Sequence, residues 1–309
     1  HYAARWYTHE PDPEAALGTR LWRGEALDGQ RLIVAREQGV GDEILFASLY
    51  GELRALSPCV VVQCSTRLHA VFARSLPDIE WWPCAEQAEA WTTLLPRLAP
   101  DDRVVFAGSL PRWLRRSREA FGAGKAYLQP DPEARAHWRA RLQALGTGPL
   151  IGLSWRGGTA ANFRDLRSLP LATLLEGLHD VLPAQCVLVD LQYDDHGAEV
   201  AACARELGRG IARFEVTRSD FAATLDLVAA LDRVITVQTA VAHAAGALGV
   251  PTEVLVPQAP TTVRWLPRAG RSAWYRSVRL HQQASPGDWA SALASLARTL
   301  RADSSGGLV

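Results

Sequence analysis

Arg233-Val234-Ile235-Thr236-Val237-Gln238-Thr239-Ala240-Val241-Ala242-His243-Ala244-Ala245-Gly246-Ala247-Leu248-Gly249-Val250-Pro251-Thr252-Glu253-Val254-Leu255-Val256-Pro257 switches pattern twice. Arg233–Val237 and Glu253–Pro257 are short β-branched apolar runs of the kind that form fully buried strands. Between them Thr239–Leu248 is a small-residue helix that Thr239 can cap and that Gly249 and Pro251 stop. Strand, helix, strand at this spacing is a βαβ unit, and such units build parallel sheets.

The same pattern extends in both directions. Buried strands are expected at 31–35, 60–64, 103–106, 150–155 and 185–191, and helices at 42–56, 133–145, 171–181, 220–231 and 288–300. Asp42 and Ser219 are further cap or first-turn residues, and Pro170 suits a helix start because no N–H is needed there. The chain has 309 residues, about twice the ~150 of one ordinary domain, so two α/β halves are expected. The turn-rich Gly146–Pro149 sets their boundary. The expected organisation is a connector at 1–30 packing on the first half, a Rossmann-like domain at 31–147, a second at 148–302, and a flexible Gly/Ser-rich tail at 303–309.

Composition narrows the function classes. The 33 basic residues cancel the 33 acidic ones, so no net field recruits nucleic acid or anionic lipid, and any anion site must be local. The longest weakly polar run, Val234–Pro257, carries Gln238, His243 and Glu253, which rules it out as a membrane span. The five cysteines are odd in number and show no C-x-x-C spacing, which points to free thiols in a reducing, cytoplasmic compartment and to no zinc site. The chain opens at His1, as a segment of a longer polypeptide would.

Three segments carry candidate chemistry, each where a strand passes through a loop into a helix. In Glu37-Gln38-Gly39-Val40-Gly41-Asp42-Glu43, Gly39 and Gly41 let the backbone approach a ligand, and the helix start offers unpaired N–H groups. The pattern lacks the third glycine of a dinucleotide fingerprint, and no phosphate-loop lysine motif occurs in the chain. Asp42 reads equally as a helix-start residue and as a general base. In Ser154-Trp155-Arg156-Gly157-Gly158, followed by Asn162, Arg164, Asp165 and Arg167-Ser168-Leu169-Pro170, three arginines can fork onto phosphate oxygens. In the third segment the amides from Thr239 and Ala240 face an anion, with His243 one turn later on the same face. A weaker signal is Gln192–Glu199, where Glu199 reads as a ribose acceptor or as an exposed helix acid. Arg112, Arg115, Arg116 and Arg118 beside Trp113 read as a basic wall or as a solvated helix face.

Together with Gly152–Gly157, Arg167–Pro170, Thr236–His243 and Trp274–Leu280, the Glu37–Asp42 segment resembles the glycosyltransferase domain that follows tetratricopeptide repeats in many bacterial proteins. That domain is similar to the heptosyltransferases of glycosyltransferase family 9, and the likeness runs from about residue 22 to 300.

The resemblance implies the α/β fold called GT-B, two facing Rossmann-like domains with parallel sheets and a cleft between them. It also implies an inverting transfer from a nucleotide-sugar co-substrate to a protein or glycan acceptor. By motif position Asp42 is the base, Arg156, Arg167, Gln238, Thr239, Ala240 and His243 hold the donor phosphates, and Gln192 and Glu199 face the ribose or base. No Asp-x-Asp pair is present to bridge a metal to the diphosphate, so neither a metal nor a further cofactor is expected. Heptosyltransferases usually carry Asp where this chain has Gln238, which leaves open the alternative of a catalytically inactive binding or scaffolding module.

Overall fold

The computed structural model describes residues 16–86, 89–121, 124–158, 164–259, 264–267 and 269–305. The chain divides into two compact units, His1–Gly122 with Tyr127–Gln129, and Ala123–Ala126 with Pro130–Val309. Each is built on a parallel sheet, so the α/β class expected from the sequence holds.

The first unit carries β1 (Leu32–Ala35), β2 (Val60–Ser65), β3 (Glu80–Cys84) and β4 (Arg103–Phe106) in the order β3-β2-β1-β4. Every residue of β1 and β2 is buried, as continuous apolar runs with both faces covered require. Leu17 and Leu21 join Ile33, Val61, Trp82, Val104 and Phe106 in one core cluster. The Trp22 amide donates to the Val104 carbonyl at 2.8 Å, so residues 16–22 are fastened to the edge of this sheet. Residues 1–15 of the expected connector lie outside the described residues.

The second unit carries β5 (Leu150–Ser154), β6 (Val187–Asp190), β7 (Ile211–Ala212), β8 (Arg233–Val237), β9 (Thr252–Val256) and β10 (Val278–Gln282) in the order β10-β9-β8-β5-β6-β7. Two apolar layers sandwich it. One holds Leu153, Trp155, Leu174 and Leu296, and the other Val189, Leu227, Val234 and Val241.

Both sheets grow outward in one direction and then return to the other side of their first strand. The order reverses between β1 and β4 in the first unit, and between β5 and β8 in the second. At such a reversal the neighbouring crossovers leave on opposite faces and open a crevice beyond the carboxyl ends of the strands. The Glu37–Asp42 segment follows β1, and the Arg156–Pro170 and Gln238–Ala240 segments follow β5 and β8. All three therefore sit at a reversal of their own sheet.

Four expectations need correction. The boundary lies before Pro130 and not at Gly146–Pro149, because the helix Pro132–Gln143 docks on the second unit. Arg135 donates to the Ala229 carbonyl at 2.9 Å, Arg139 pairs with Asp232 at 2.7 Å, and Trp138 meets Phe214 edge-on. The expected tail at 303–309 is helical as far as Ser305, and Asp303 is bound to Arg233 and Arg279. Residues 306–309 lie outside the described residues. The helix expected at 42–56 forms as two pieces, Val40–Ala47 and Tyr50–Leu53. Asp220 caps the helix Phe221–Ala229 through the Ala223 amide at 3.0 Å, the role expected of Ser219.

Candidate functional site

The carboxyl end of β1 is crowded with buried charge. Arg36, Glu37, Gln38, Asp42 and Glu43 are all less than a tenth exposed. Glu37 accepts from the Gly108 amide at 2.6 Å, which stitches the end of β1 to the segment after β4. Arg36 donates to Glu43 at 2.7 Å and to the Cys84 carbonyl at 3.2 Å, and the other Glu43 oxygen accepts from the Ser65 amide at 2.7 Å. Burial pushes the Glu43 carboxyl up from its ordinary range, with Arg36 opposing, and burial beside Glu43 drives the Cys64 thiol up to about 12.

Gln38 holds a left-handed backbone conformation, φ 66°, which turns the chain out of β1. Gly39 is the N-cap of the helix Val40–Ala47, without a side-chain cap, and Asp42 and Glu43 stand in its first turn. The Asp42 amide closes that turn on the Gly39 carbonyl at 2.9 Å. Asp42 is thus a first-turn acid favoured by the helix dipole and not the cap. A Cβ on Gly39 would meet nothing within 4 Å, so packing does not demand glycine there.

In the second unit the reversal between β5 and β8 brings two loops into contact. A Cβ on Gly157 would lie 2.6 Å from the Gln238 carbonyl oxygen and 3.1 Å from Thr239 Cγ2, so only glycine lets these backbones touch. The loop after Gly157 closes on itself: Gly157 N–H donates to Ser168 Oγ at 3.2 Å, Ser168 Oγ donates to the Arg164 carbonyl at 2.7 Å, and Leu169 N–H donates to the Trp155 carbonyl at 3.1 Å. This closure carries Arg167 onto the Gln238 carbonyl, to which its guanidinium donates. Asn162, read as part of the loop, lies outside the described residues.

Thr239 caps the helix Ala240–Leu248 through the Ala242 amide, and its hydroxyl lies 3.1 Å from that of Thr236. Gln238 is 4% exposed, and its Nε2 is buried with no hydrogen-bond partner. An unpaired buried amide costs about 1–3 kcal/mol, so Gln238 carries an unmet hydrogen-bonding need at this helix start and sheet reversal.

His243 lies one turn into that helix. It stacks on Trp265 with ring centroids 4.6 Å apart and planes 5° apart, and its Nδ1 is 3.0 Å from the Tyr275 hydroxyl. Burial, assisted by Arg264 and Arg167, lowers its pKa to about 3, so the imidazole is neutral at physiological pH.

Four residues singled out in the sequence have partners inside the protein. Gln192 is fully buried, and its Oε1 accepts from Ser154 Oγ, Trp155 N–H and Arg156 N–H at 3.2, 3.1 and 3.0 Å, while Nε2 donates to the Arg156 carbonyl at 3.0 Å. Both polar atoms of its amide bind the loop after β5, which Gln192 therefore shapes. Glu199 accepts from Trp155 Nε1 at 3.1 Å, from Leu171 N–H at 3.0 Å and from Arg156. Arg156 is therefore held on one side by Glu199, with Asp194 3.8 Å away. Arg115, from the predicted basic wall, pairs with Glu52.

The structure also adds residues that the sequence reading left without a role. Trp265, Tyr275 and Arg264 stand beside His243, Ser168 closes the arginine loop, and His196, edge-on to Trp155, joins Asp190 at 2.7 Å. For Trp265 and Tyr275 the signal in sequence is the aromatic residues between β9 and β10, which name side chains but not their target.

No known family profile matches the sequence. The chain is 34% identical over 297 residues to protein FlbA of Caulobacter vibrioides, a match that takes in 91% of this chain and 48% of that protein, so it spans about half the length of this curated relative. Among solved structures, ADP-heptose lipopolysaccharide heptosyltransferase II of E. coli superposes with a TM-score of 0.53 at 15% identity, over 88% of this chain and 99% of that one. A glycosyl transferase of family 9 from Veillonella parvula gives 0.53 at 14%, over 84% and 88%. E. coli heptosyltransferase WaaC, solved with ADP-2-deoxy-2-fluoro heptose, gives 0.53 at 12%, over 88% and 100%. These likenesses establish the GT-B class of fold for the chain. Among the described residues no helix is long and apolar enough to cross a membrane.

Proposed function

We propose that the chain is a glycosyltransferase that moves a sugar from a nucleotide-sugar to a hydroxyl or other nucleophile on a protein or glycan, with inversion at the anomeric carbon. The observation that carries the donor half is the unpartnered amide of Gln238. It sits at the reversal of the second sheet, beside the N-terminus of a nine-residue helix and below the Arg167 guanidinium. The unmet need of that group, the positive end of the helix dipole and a fixed cation together suit the phosphate oxygens of a nucleotide-sugar.

In this reading the acceptor's nucleophile forms a bond to the anomeric carbon while the bond from that carbon to the phosphate oxygen breaks. Asp42 takes the acceptor's proton, a role that rests on the family resemblance and on its place in the first turn after β1. The leaving nucleoside phosphate gains negative charge, which Arg167, the amides at Thr239 and Ala240, and an imidazole N–H of His243 stabilise without a divalent cation.

A melting-temperature series with UDP-, GDP-, ADP- and CMP-linked sugars tests the donor half, because a ligand selective for the folded state raises stability with its occupancy. One family of sugar nucleotides is expected to raise the midpoint, and chelator is expected to leave the shift unchanged. No shift with any of them refutes the proposal. The replacement of a family carboxylate by Gln238 favours a second reading, a binding module without turnover. Donor binding without release of nucleoside phosphate in the presence of acceptor decides for that reading.

A further inference from the structure

We infer that Glu199 is a positioning residue for Arg167: its carboxylate ties both ends of the loop from Trp155 to Leu171 to the start of the helix Gly197–Leu207, and so sets where that loop holds its last arginine. The inference rests on the nucleotide-sugar reading only for what Arg167 meets. The anchoring itself stands on contacts within the second unit.

Both carboxylate oxygens are engaged. Oε2 accepts from Trp155 Nε1 at 3.1 Å and from the Arg156 guanidinium, where the chain leaves β5. Oε1 accepts from Leu171 N–H at 3.0 Å, where the chain enters the helix Leu171–Leu178. One side chain therefore grips the way into the loop and the way out.

Each grip has a local cause. Pro170, the N-cap of the helix Leu171–Leu178, offers no side-chain cap, so the first amide of that helix takes its acceptor from elsewhere in the chain. A carboxylate is favoured at the positive end of a helix dipole, and Glu199 stands in the first turn of its own helix as well. Trp155 is fully buried with Leu169, Leu171 and Leu174, and a buried indole N–H needs a partner. Arg156 supplies the countercharge.

The path from the anchors to Arg167 is short. Leu169 N–H donates to the Trp155 carbonyl at 3.1 Å, and Ser168 Oγ joins Gly157 N–H to the Arg164 carbonyl. Arg167 immediately precedes Ser168, and its guanidinium donates to the Gln238 carbonyl. An acid that merely solvated a helix surface would need neither the indole nor the amide.

Glu199→Gln keeps the size of the side chain and leaves one acceptor oxygen in place of two. Hydrogen exchange followed by NMR is expected to show the Leu171 amide, the Trp155 indole N–H or both exchanging at least about tenfold faster than in the parent, with the amides of β5 and β8 unchanged. Fast exchange of both groups in the parent overturns the inference even where the variant does not fold, and so does unchanged exchange in a folded variant. Titration with UDP, GDP, ADP and CMP follows. The nucleotide that binds best is expected to lose about tenfold in affinity in Glu199→Gln, and its 2′- and 3′-deoxy forms to lose the same factor, as follows when the carboxylate holds the loop rather than the sugar. In an Arg167→Ala background Glu199→Gln is expected to cost no further affinity, because residues that act through one another are not additive. Unchanged affinity, a deoxy penalty that vanishes in Glu199→Gln, or a full further loss on top of Arg167→Ala overturns the inference. A parent that binds none of the four nucleotides refutes the donor reading and the role given to Arg167, while the exchange result still decides the anchoring.

Discussion

Gly157 and the carbonyl of Gln238 meet with no room for a side chain between them: a Cβ on the glycine would stand 2.6 Å from the carbonyl oxygen. The neighbour is backbone, which cannot swing aside as a long side chain can. The contact therefore fixes the distance between the two loops that the proposed donor site is made of. Gly157→Ala is expected to cost about 1–3 kcal/mol as an overpacking change. It is expected to lower nucleotide affinity at least tenfold by moving Arg167 off Gln238. Calorimetric titration alongside urea melts separates the two effects, and unchanged affinity would show that the loop spacing does not matter for binding.

Gln238 has an amide buried without a partner, so stability and binding should trade against one another at this position. Gln238→Met keeps the volume and removes the unmet polar group, and is expected to stabilise the ligand-free protein by about 1 kcal/mol. The same change is expected to weaken nucleotide binding about tenfold. A variant that is both less stable and equally good at binding would show that the amide has no ligand.

Asp42→Asn keeps the size of the side chain and removes its charge. Transfer is expected to fall by at least a hundredfold, the usual range for loss of a general base, while donor affinity stays within a factor of about two. Release of nucleoside phosphate and the nucleotide-induced melting shift give the two readings side by side. Equal turnover in the variant would remove Asp42 from the reaction.

The carboxyl of Glu253 is fully buried in β9, where it accepts from Arg233 at 2.5 Å, Arg279 at 3.0 Å and His281 at 2.8 Å. Burial alone would raise its pKa, but the hydrogen bonds from His281 and Arg279 hold it below the ordinary 4.5, and Arg279 does the same for Asp303. Both groups bind protons more weakly when folded, so their stabilisation is complete above the ordinary carboxylate range and is lost as pH falls below it. The His243 pKa is also depressed, and its contribution declines from about pH 6.5 towards 3. Urea midpoints are expected to be flat between about pH 7 and 8, to sag below 6.5 and to drop steeply below 4.5. Glu253→Gln is expected to cost about 3–5 kcal/mol at pH 7, because it leaves two guanidiniums facing a neutral amide.

What the sequence reveals follows how much of each element is buried. The central strands β1, β2, β5, β8 and β9 are continuous apolar runs because both faces are covered, and each was legible. The strands that escaped, β3, β7 and β10, are all sheet edges. β3 contains Pro83, which ordinarily argues against a strand. β7 has only two residues, and β10 alternates where the central strands are uniform.

The site was legible to the same degree. Residues that act through backbone position, Gly157, Thr239 and the loop after β1, are announced by strand-to-helix punctuation. Side chains that answer to a distant partner are not. Nothing local distinguishes Arg156, which Glu199 consumes, from Arg167, which reaches Gln238. His243 was visible as a polar residue in a small-residue helix, but its neutral state depends on Trp265, Tyr275 and Arg264, which arrive from more than twenty positions away in the chain.

The ion cluster on the last helix bears on where a fragment of this protein can be cut. Asp303 shares Arg233 and Arg279 with Glu253, so a product trimmed just before it, by a protease or by truncation of the gene, loses an anion that serves both arginines. The strand that ends in Gln238 begins at Arg233, so a nick near the carboxyl end of the second unit is felt at the root of the strand bearing the proposed donor site.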